Sequence, residues 1–146
     1  MSKGRILNAS TISGMDKFMA LARIAVGICD EADRIGASEY TDAELIARAR
    51  ELFPSKPYCL VRDWVLVDLS DTEGLEVPEG ALLRVIYAGK VVDDQADRFD
   101  RPRWILSTFE LSLVEDHLFE SMNTIYVLSG RGARATCDWR VLASLF

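Results

Sequence analysis

The carboxylates that could do chemistry are concentrated at Asp93, Asp94 and Asp97, with Arg98 beside them. Several carboxylates in one loop are the ligands that Ca²⁺ and Mg²⁺ prefer. Their spacing lacks the central Gly and the terminal Glu of an EF-hand loop, and the neighbouring arginines can neutralise them without a metal. The sequence therefore predicts no metal, and Asp93, Asp94 and Asp97 are the alternative site if one binds.

A second segment is glycine-rich and basic, with Gly130 and Gly132 flanking Arg131 and with Arg134 following. The backbone amides of such a turn, together with two guanidinium groups, can hold an anion. No Lys-Ser or Lys-Thr pair follows, so the segment does not match a phosphate-binding loop. A structural turn between two strands explains the glycines more simply. These four residues are nevertheless the anion site to test first.

His117 is the only histidine in the chain, so any Ser–His–Asp or Cys–His mechanism would have to use it. It follows Asp116 in a segment that reads as a hairpin turn, and we expect it to face solvent there. One histidine and three widely separated cysteines lack the paired spacing of a structural zinc site. The sequence predicts no catalytic residue and no cofactor, although it does not exclude an enzyme.

The cysteines Cys29, Cys59 and Cys137 each lie in an apolar run, where a thiol behaves as a small hydrophobic side chain. This usage is typical of a reducing compartment and not of a secreted disulfide scaffold. Residues 1–13 lack the apolar core of a signal peptide, and no stretch approaches the ~20 apolar residues of a membrane span. We therefore expect a cytoplasmic protein.

Charge is unevenly distributed along the 146 residues, whose formal net charge is −6. Residues 1–57 have eight acidic and eight basic side chains, whereas residues 63–116 have thirteen acidic and five basic ones, a net of −8. Nucleic-acid and anionic-membrane binding need clustered Lys and Arg, so neither is expected. An acidic surface suits solubility or a basic protein partner. The sequence does not fix the oligomeric state.

The elements that must position these residues begin with two helices. Residues 1–12 form a loose arm, and apolar residues then recur every three or four positions from Met15 until Gly36, a typical helix terminator. Thr41 and Glu44 form a capping box for a second helix, which the prolines after residue 53 end. Residues 15–53 therefore predict an αα-hairpin.

Beyond this hairpin the apolar period changes to two. Residues 58–137 contain short apolar runs separated by Gly, Pro and Asp turns, which predicts consecutive antiparallel strands. Asp138 is a candidate N-cap for a helical turn over residues 138–146. The predicted fold is α+β, a single domain of residues 1–146. In it an N-terminal αα-hairpin packs on an antiparallel sheet of about five or six strands, followed by a short C-terminal helix.

The tryptophans Trp64, Trp104 and Trp139 lie in or beside apolar stretches, which predicts core or interface anchors. An exposed one would be a partner-binding candidate, because interfaces favour Trp and Arg. Arg98 belongs to the same set of interface candidates.

The second half of the chain contains a pattern made of Val91-Val92-Asp93-Asp94, Arg98-Phe99, Arg103-Trp104-Ile105-Leu106-Ser107-Thr108 and the run from Leu118 to Leu128. It resembles a domain-of-unknown-function family of small uncharacterised proteins from pseudomonads and related proteobacteria, often encoded near prophage or mobile-element genes. The similarity covers roughly residues 85–137, and residues 100–102 depart from it because members usually have Gly there. It implies a bacterial setting and no activity.

These observations favour a non-catalytic protein-binding or accessory protein, encoded on a mobile element. One alternative is an immunity protein, or a phage-type inhibitor of a host defence system, that acts through its acidic face. Another is a small hydrolase or transferase that uses the carboxylates of residues 93, 94 and 97 with Arg131 or Arg134. That alternative requires the carboxylates and guanidinium groups to meet in one pocket.

Overall fold

A computed structural model of the chain describes residues 34–37, 39–96 and 105–140, with side chains from residue 39 onward. These ranges contain one α-helix and eight β-strands in a single sheet. The helix is α1 (Asp42–Leu52), and the strands are β1 (Arg34–Ala37), β2 (Tyr58–Ser70), β3 (Arg84–Asp94), β4 (Ile105–Leu106), β5 (Ser112–Val114), β6 (Leu118–Glu120), β7 (Ile125–Leu128) and β8 (Gly130–Asp138).

Helix α1 forms where the capping box predicts it. The backbone N–H of Glu44 donates to Thr41 Oγ1 at 3.1 Å, and the N–H of Thr41 donates to Glu44 Oε1 at 2.8 Å. The helix ends before Phe53, and its apolar face buries Leu45 and Ala49. The predicted second helix is therefore confirmed.

The predicted αα-hairpin is wrong. Its first helix was expected to continue to Gly36, but Arg34–Ala37 is strand β1, antiparallel to β8, with Gly36 opposite Arg131. The helical spacing of apolar residues does not decide the structure of residues 34–37. Their hydrogen bonds to the edge of β8 stabilise a strand, and intrinsic helix propensity is weak in comparison with such tertiary pairing. Residues 15–33, which carry most of that predicted helix, lie outside the described part of the chain, as does the arm of residues 1–12.

The prediction of a purely antiparallel sheet is also wrong. The central strand β2 pairs antiparallel with β3 on one side and parallel with both β7 and β8 on the other. Strands joined by short turns do pair antiparallel, as in β5–β6 and β6–β7. The parallel partners of β2 come from about 67 residues further along the chain, which no local pattern records. The sheet is therefore mixed.

Strands β7 and β8 pair one after the other with the same edge of β2, and a bulge separates them. Val61 pairs with Leu128 and Val65 with Ala133, so an advance of four residues along β2 corresponds to five residues along the segment from β7 to β8. The extra residue is accommodated near Gly130, whose φ is +70°. The predicted turn at residues 129–132 is instead this bulge and the start of β8.

Trp64 fixes the bulge from the core side. Its side chain is 1% exposed, and its indole N–H donates to the carbonyl oxygen of Ser129 at 3.1 Å. Gly132 lies directly against the ring, where a Cβ atom would come within 2.3 Å of the indole. The core of the sheet therefore depends on the absence of a side chain at this position.

The core occupies both faces of the sheet. Along β2, Leu60 packs in one cluster with α1, whereas its neighbours Cys59 and Val61 pack in another. This alternation is the period of two that a strand with two covered faces requires. A third cluster contains Val67, Val85, Phe109 and Cys137 and contacts Trp139.

The remaining predictions concern the chain's end and its environment. Strand β8 extends to Asp138, so no C-terminal helix is found among the described elements, and residues 141–146 lie outside them. No helix in the described ranges is long and apolar enough to cross a membrane.

Candidate binding pocket

Asp93 and Asp94, two residues of the alternative metal site, lie at the end of strand β3, opposite Leu60 and Cys59. The hydroxyl of Tyr58 donates to Asp93 Oδ2 at 3.0 Å. Asp97 lies outside the described residues. Within the ranges that are described, no three His, Cys, Asp or Glu side chains are grouped so that they could hold a metal ion.

The predicted anion-binding residues lie in the first half of β8. Arg134 makes a two-pronged contact with Asp68 on the adjacent β2, with Nε and Nη2 donating at 2.7 and 3.0 Å. These bonds raise the pKa of Arg134. Arg131 is exposed, and Gly130 and Gly132 shape the bulge. An anion at this site would compete with Asp68 for Arg134, and the site stays a prediction.

Of the residues in the alternative enzyme site, Asp93 and Arg134 lie far apart in the structure. Asp93 lies opposite Leu60 and Arg134 opposite Leu66, on the two sides of β2. Six residues along a strand correspond to about 20 Å at roughly 3.3 Å per residue.

Of the interface candidates, Trp64 is buried in the core, and Trp104 and Arg98 lie outside the described residues. Trp139 is partly buried, with its ring centroid 6.5 Å from that of Phe109. It borders a shallow hollow of about 340 Å³ beside the loop that contains Glu73 and Glu76.

A larger pocket, of about 630 Å³, opens between the N-terminal part of α1 and the turn that joins β5 to β6. Helix α1 and this turn are neighbours because Leu45 of the helix and Leu118, which follows the turn, share one buried cluster. We call it the Tyr40 pocket, and it is lined by Glu39, Tyr40, Glu44, Leu45, Arg48, Glu115, Asp116 and His117.

The turn at the wall of the pocket has an unfavourable backbone. Val114 pairs with Leu118, so three residues make the connection, and Glu115 and Asp116 have φ values of 55° and 64°. A left-handed conformation costs a non-glycine residue about 1 kcal/mol, and Asp tolerates it better than Glu. Such residues persist only when their surroundings hold them, and they are concentrated at functional sites.

Arg48 of α1 holds Glu115 in this conformation. Its Nη2 donates to Glu115 Oε2 at 2.7 Å and its Nε to Oε1 at 3.2 Å, while its Nη1 donates to Glu51 at 2.9 Å. The hydrogen bonds from Arg48 keep the pKa of the Glu115 carboxyl below its ordinary value. All three donor nitrogens of this guanidinium are therefore engaged by carboxylates.

His117 lies in the predicted hairpin turn, but the prediction that it faces solvent is wrong, because the residue is only 4% exposed. The turn packs against the start of the helix, and the ring of Tyr40 lies 5.6 Å from the imidazole, centroid to centroid. The Nε2 atom is 3.7 Å from Glu115 Oε1. The Nδ1 atom is buried and has no hydrogen-bond partner in the described part of the chain.

The chemistry available in the Tyr40 pocket is that of hydrogen-bond acceptors. Four carboxylates line it, those of Glu39, Glu44, Glu115 and Asp116, against the single guanidinium of Arg48. Its described lining contains no Ser, Cys or Lys that the imidazole could activate as a nucleophile. The pocket is therefore suited to attract a positively charged group.

Sequence reasoning missed this pocket. The adjacent acids Glu115 and Asp116 before the only histidine gave a partial signal, but the positive φ values of their turn are seen only in the structure. Nothing local connects Glu39, Tyr40 or Arg48 to that turn, which lies about 70 residues later.

The comparisons with known proteins support one assignment. Neither the curated proteins nor the solved structures include a significant match. A family model does match residues 36–144, a range that contains α1, strands β2 to β8 and the Tyr40 pocket, and that extends well beyond the resemblance over residues 85–137. The match does not test the expected bacterial group or prophage setting. By this match the chain belongs to the family described as Domain of unknown function (DUF6957).

Proposed function

We propose that this domain is a non-catalytic protein-binding module that docks a basic segment of a partner protein at the Tyr40 pocket. The observation that carries the proposal is an exposed aromatic ring within a rim of four carboxylates, of which only Glu115 has a Lys or Arg beside it among the described side chains. Tyr40 is 48% exposed although its ring contacts a buried histidine. Aromatic anchors inside a polar rim are typical of protein interfaces.

The charges of the rim support a basic partner. Glu39 and Asp116 line the pocket, and neither has an ion-pair partner among the residues that the structure describes. Unpaired carboxylates attract a complementary surface over several ångströms and accelerate association, and salt screens this effect. If the basic partner is a toxin, this protein would be an immunity protein. If the partner is a defence protein of the host, it would be a phage-type inhibitor.

The catalytic alternative has less support. Its carboxylates at residues 93 and 94 and its guanidinium at Arg134 lie on opposite sides of β2, and Arg134 is engaged by Asp68. The Tyr40 pocket contains a histidine but no partner nucleophile in its described lining. Binding is therefore the function that the geometry favours.

Site-specific photocrosslinking tests the proposal. Two variants of the protein each contain one photoreactive phenylalanine analogue, which replaces Tyr40 in the first and Leu82 in the second. These two side chains have similar exposure, 48% and 45%. Leu82 does not line the pocket. In extract from the source organism, we expect a discrete crosslinked protein of basic isoelectric point only from position 40.

Charge variants provide the matched control. Glu39→Gln with Asp116→Asn removes two rim charges, and Asn tolerates the left-handed φ at position 116. Glu73→Gln with Glu76→Gln removes the same charge from an exposed loop outside the pocket. The crosslink should weaken in the first variant and persist in the second. Equal crosslinking from positions 40 and 82, or equal loss in both variants, would refute the proposal.

A further inference from the structure

The buried imidazole of His117 has one nitrogen whose hydrogen bonding is unmet. Its side chain is 5% exposed, and Nδ1 has no hydrogen-bond partner among the described residues. On the other side of the ring, Nε2 faces the Glu115 carboxylate at 3.7 Å. With the ring proton on Nε2, the nitrogen that faces this carboxylate, Nδ1 is an acceptor.

A buried acceptor without a donor is costly and is rare in folded proteins. The unmet group at His117 shares its pocket with the carboxylates of Glu39 and Asp116, which have no cation beside them in the described ranges. The guanidinium of Arg48 cannot provide a hydrogen-bond donor or a positive charge to these groups, because Glu115 and Glu51 already engage it. The missing component of the Tyr40 pocket is therefore a donor that carries positive charge.

We infer that the Tyr40 pocket receives a single lysine or arginine side chain of the partner, an inference that rests on the proposed function. The cationic head lies between the carboxylates of Glu39 and Asp116 and donates to His117 Nδ1. Because Nδ1 is buried, the ring of Tyr40, which lies 5.6 Å from the imidazole, must turn aside to admit the cation, and it then stacks against it. The aliphatic stem packs towards Leu45.

Other occupants fit less well. An anion would meet four carboxylates and a guanidinium that is already engaged. A divalent metal needs three or more protein ligands in reach of one another, and the described residues show no such group. An ammonium or guanidinium group combines charge with several N–H donors and so matches both the carboxylates and the imidazole.

The single histidine makes the test direct, because its ring nitrogens give one unambiguous pair of signals in ¹⁵N NMR. The probes are the blocked amino acids N-acetyl-lysine methylamide, N-acetyl-arginine methylamide and, as the uncharged control, N-acetyl-norleucine methylamide. The spectrum of the free protein should show the ring proton on Nε2. The lysine or the arginine probe should then shift the Nδ1 signal saturably, and norleucine should not.

Variants locate the effect. Glu39→Gln with Asp116→Asn should weaken binding of the cationic probe about five- to tenfold, because two rim charges are lost. Glu73→Gln with Glu76→Gln should leave it unchanged. Comparing lysine with arginine identifies which cation the partner presents.

The outcomes separate this inference from the proposed function. The inference that a lysine or arginine side chain binds is refuted if the free protein has its ring proton on Nδ1, or if norleucine causes equal shifts. In that case, a crosslink at position 40 would still support the docking surface. Loss of the crosslink together with saturable lysine or arginine binding retains the cation site and overturns the protein partner.

Discussion

Gly132→Ala is expected to be the most damaging single-methyl substitution in the described sheet. The added Cβ would lie 2.3 Å from Trp64 Cδ2 and 2.5 Å from Cε2 and Cε3, well inside van der Waals contact. The ring cannot move away easily, because it is fully buried and its N–H is bonded to Ser129. Overpacking of a tight core costs about 1–3 kcal/mol, and a rigid ring places this site at about 3 kcal/mol.

Gly74→Ala is the matched control. Gly74 has a φ of +83°, and no described atom lies within 4 Å of the point that a Cβ would occupy there. Alanine at this position should therefore cost only the left-handed conformation, about 1 kcal/mol. Urea unfolding followed by tryptophan fluorescence measures both variants. In a domain stabilised by about 5–15 kcal/mol, the difference of about 2 kcal/mol is readily resolved.

A double-mutant cycle tests the cause. Trp64→Phe removes part of the ring that Gly132 contacts, so Gly132→Ala should cost less in that background. The reasoning fails if Gly132→Ala costs no more than Gly74→Ala, or if its cost is the same with Phe at position 64.

Three further predictions concern the charged and capping groups. Glu110→Gln should destabilise the protein by about 2–3 kcal/mol in urea, because Glu110 is 1% exposed and its Oε2 accepts from Arg84 at 2.7 Å; an unchanged midpoint would contradict this. Thr41→Ala should cost about 1 kcal/mol through the lost helix cap, whereas Thr41→Ser should restore it. Because the pKa of Glu115 is lowered in the folded state, its contribution to stability is present above the ordinary value of 4.5 and is lost as the pH falls below that value. Arg48→Met should remove this part of the acid sensitivity, and acid titrations of wild type and variant that lose stability in parallel would contradict it.

Local signals predicted the local elements correctly. The capping box of Thr41 and Glu44 located α1, and the short apolar runs over residues 58–137 predicted strands in the part of the chain that forms β2 to β8. Each of these signals depends on residues within four positions of one another, so it can be recognised from the sequence without knowledge of the fold.

Predictions failed where a distant segment decides the outcome. Arg34–Ala37 became a strand because β8 offered a free edge, and β2 took parallel partners from the end of the chain. The burial of His117 has the same origin, since a polar hairpin turn looks solvent-exposed until α1 packs against it. The Tyr40 pocket joins residues about 70 positions apart, so it could not be predicted without the fold.

The parallel pairing of β2 has a consequence for how the protein is made. Tyr58 pairs with Ile125 and Val65 with Ala133, so nearly 70 further residues must leave the ribosome before the central strand gains these partners. Until then β3 is the only one of its described strand partners that has been made, and the other edge of β2 exposes a long apolar strand. Such late, long-range contacts slow folding and leave a nascent chain open to aggregation. Synthesis that stalls before residue 125 therefore leaves a chain with an unpaired apolar strand edge, which is a template for aggregation.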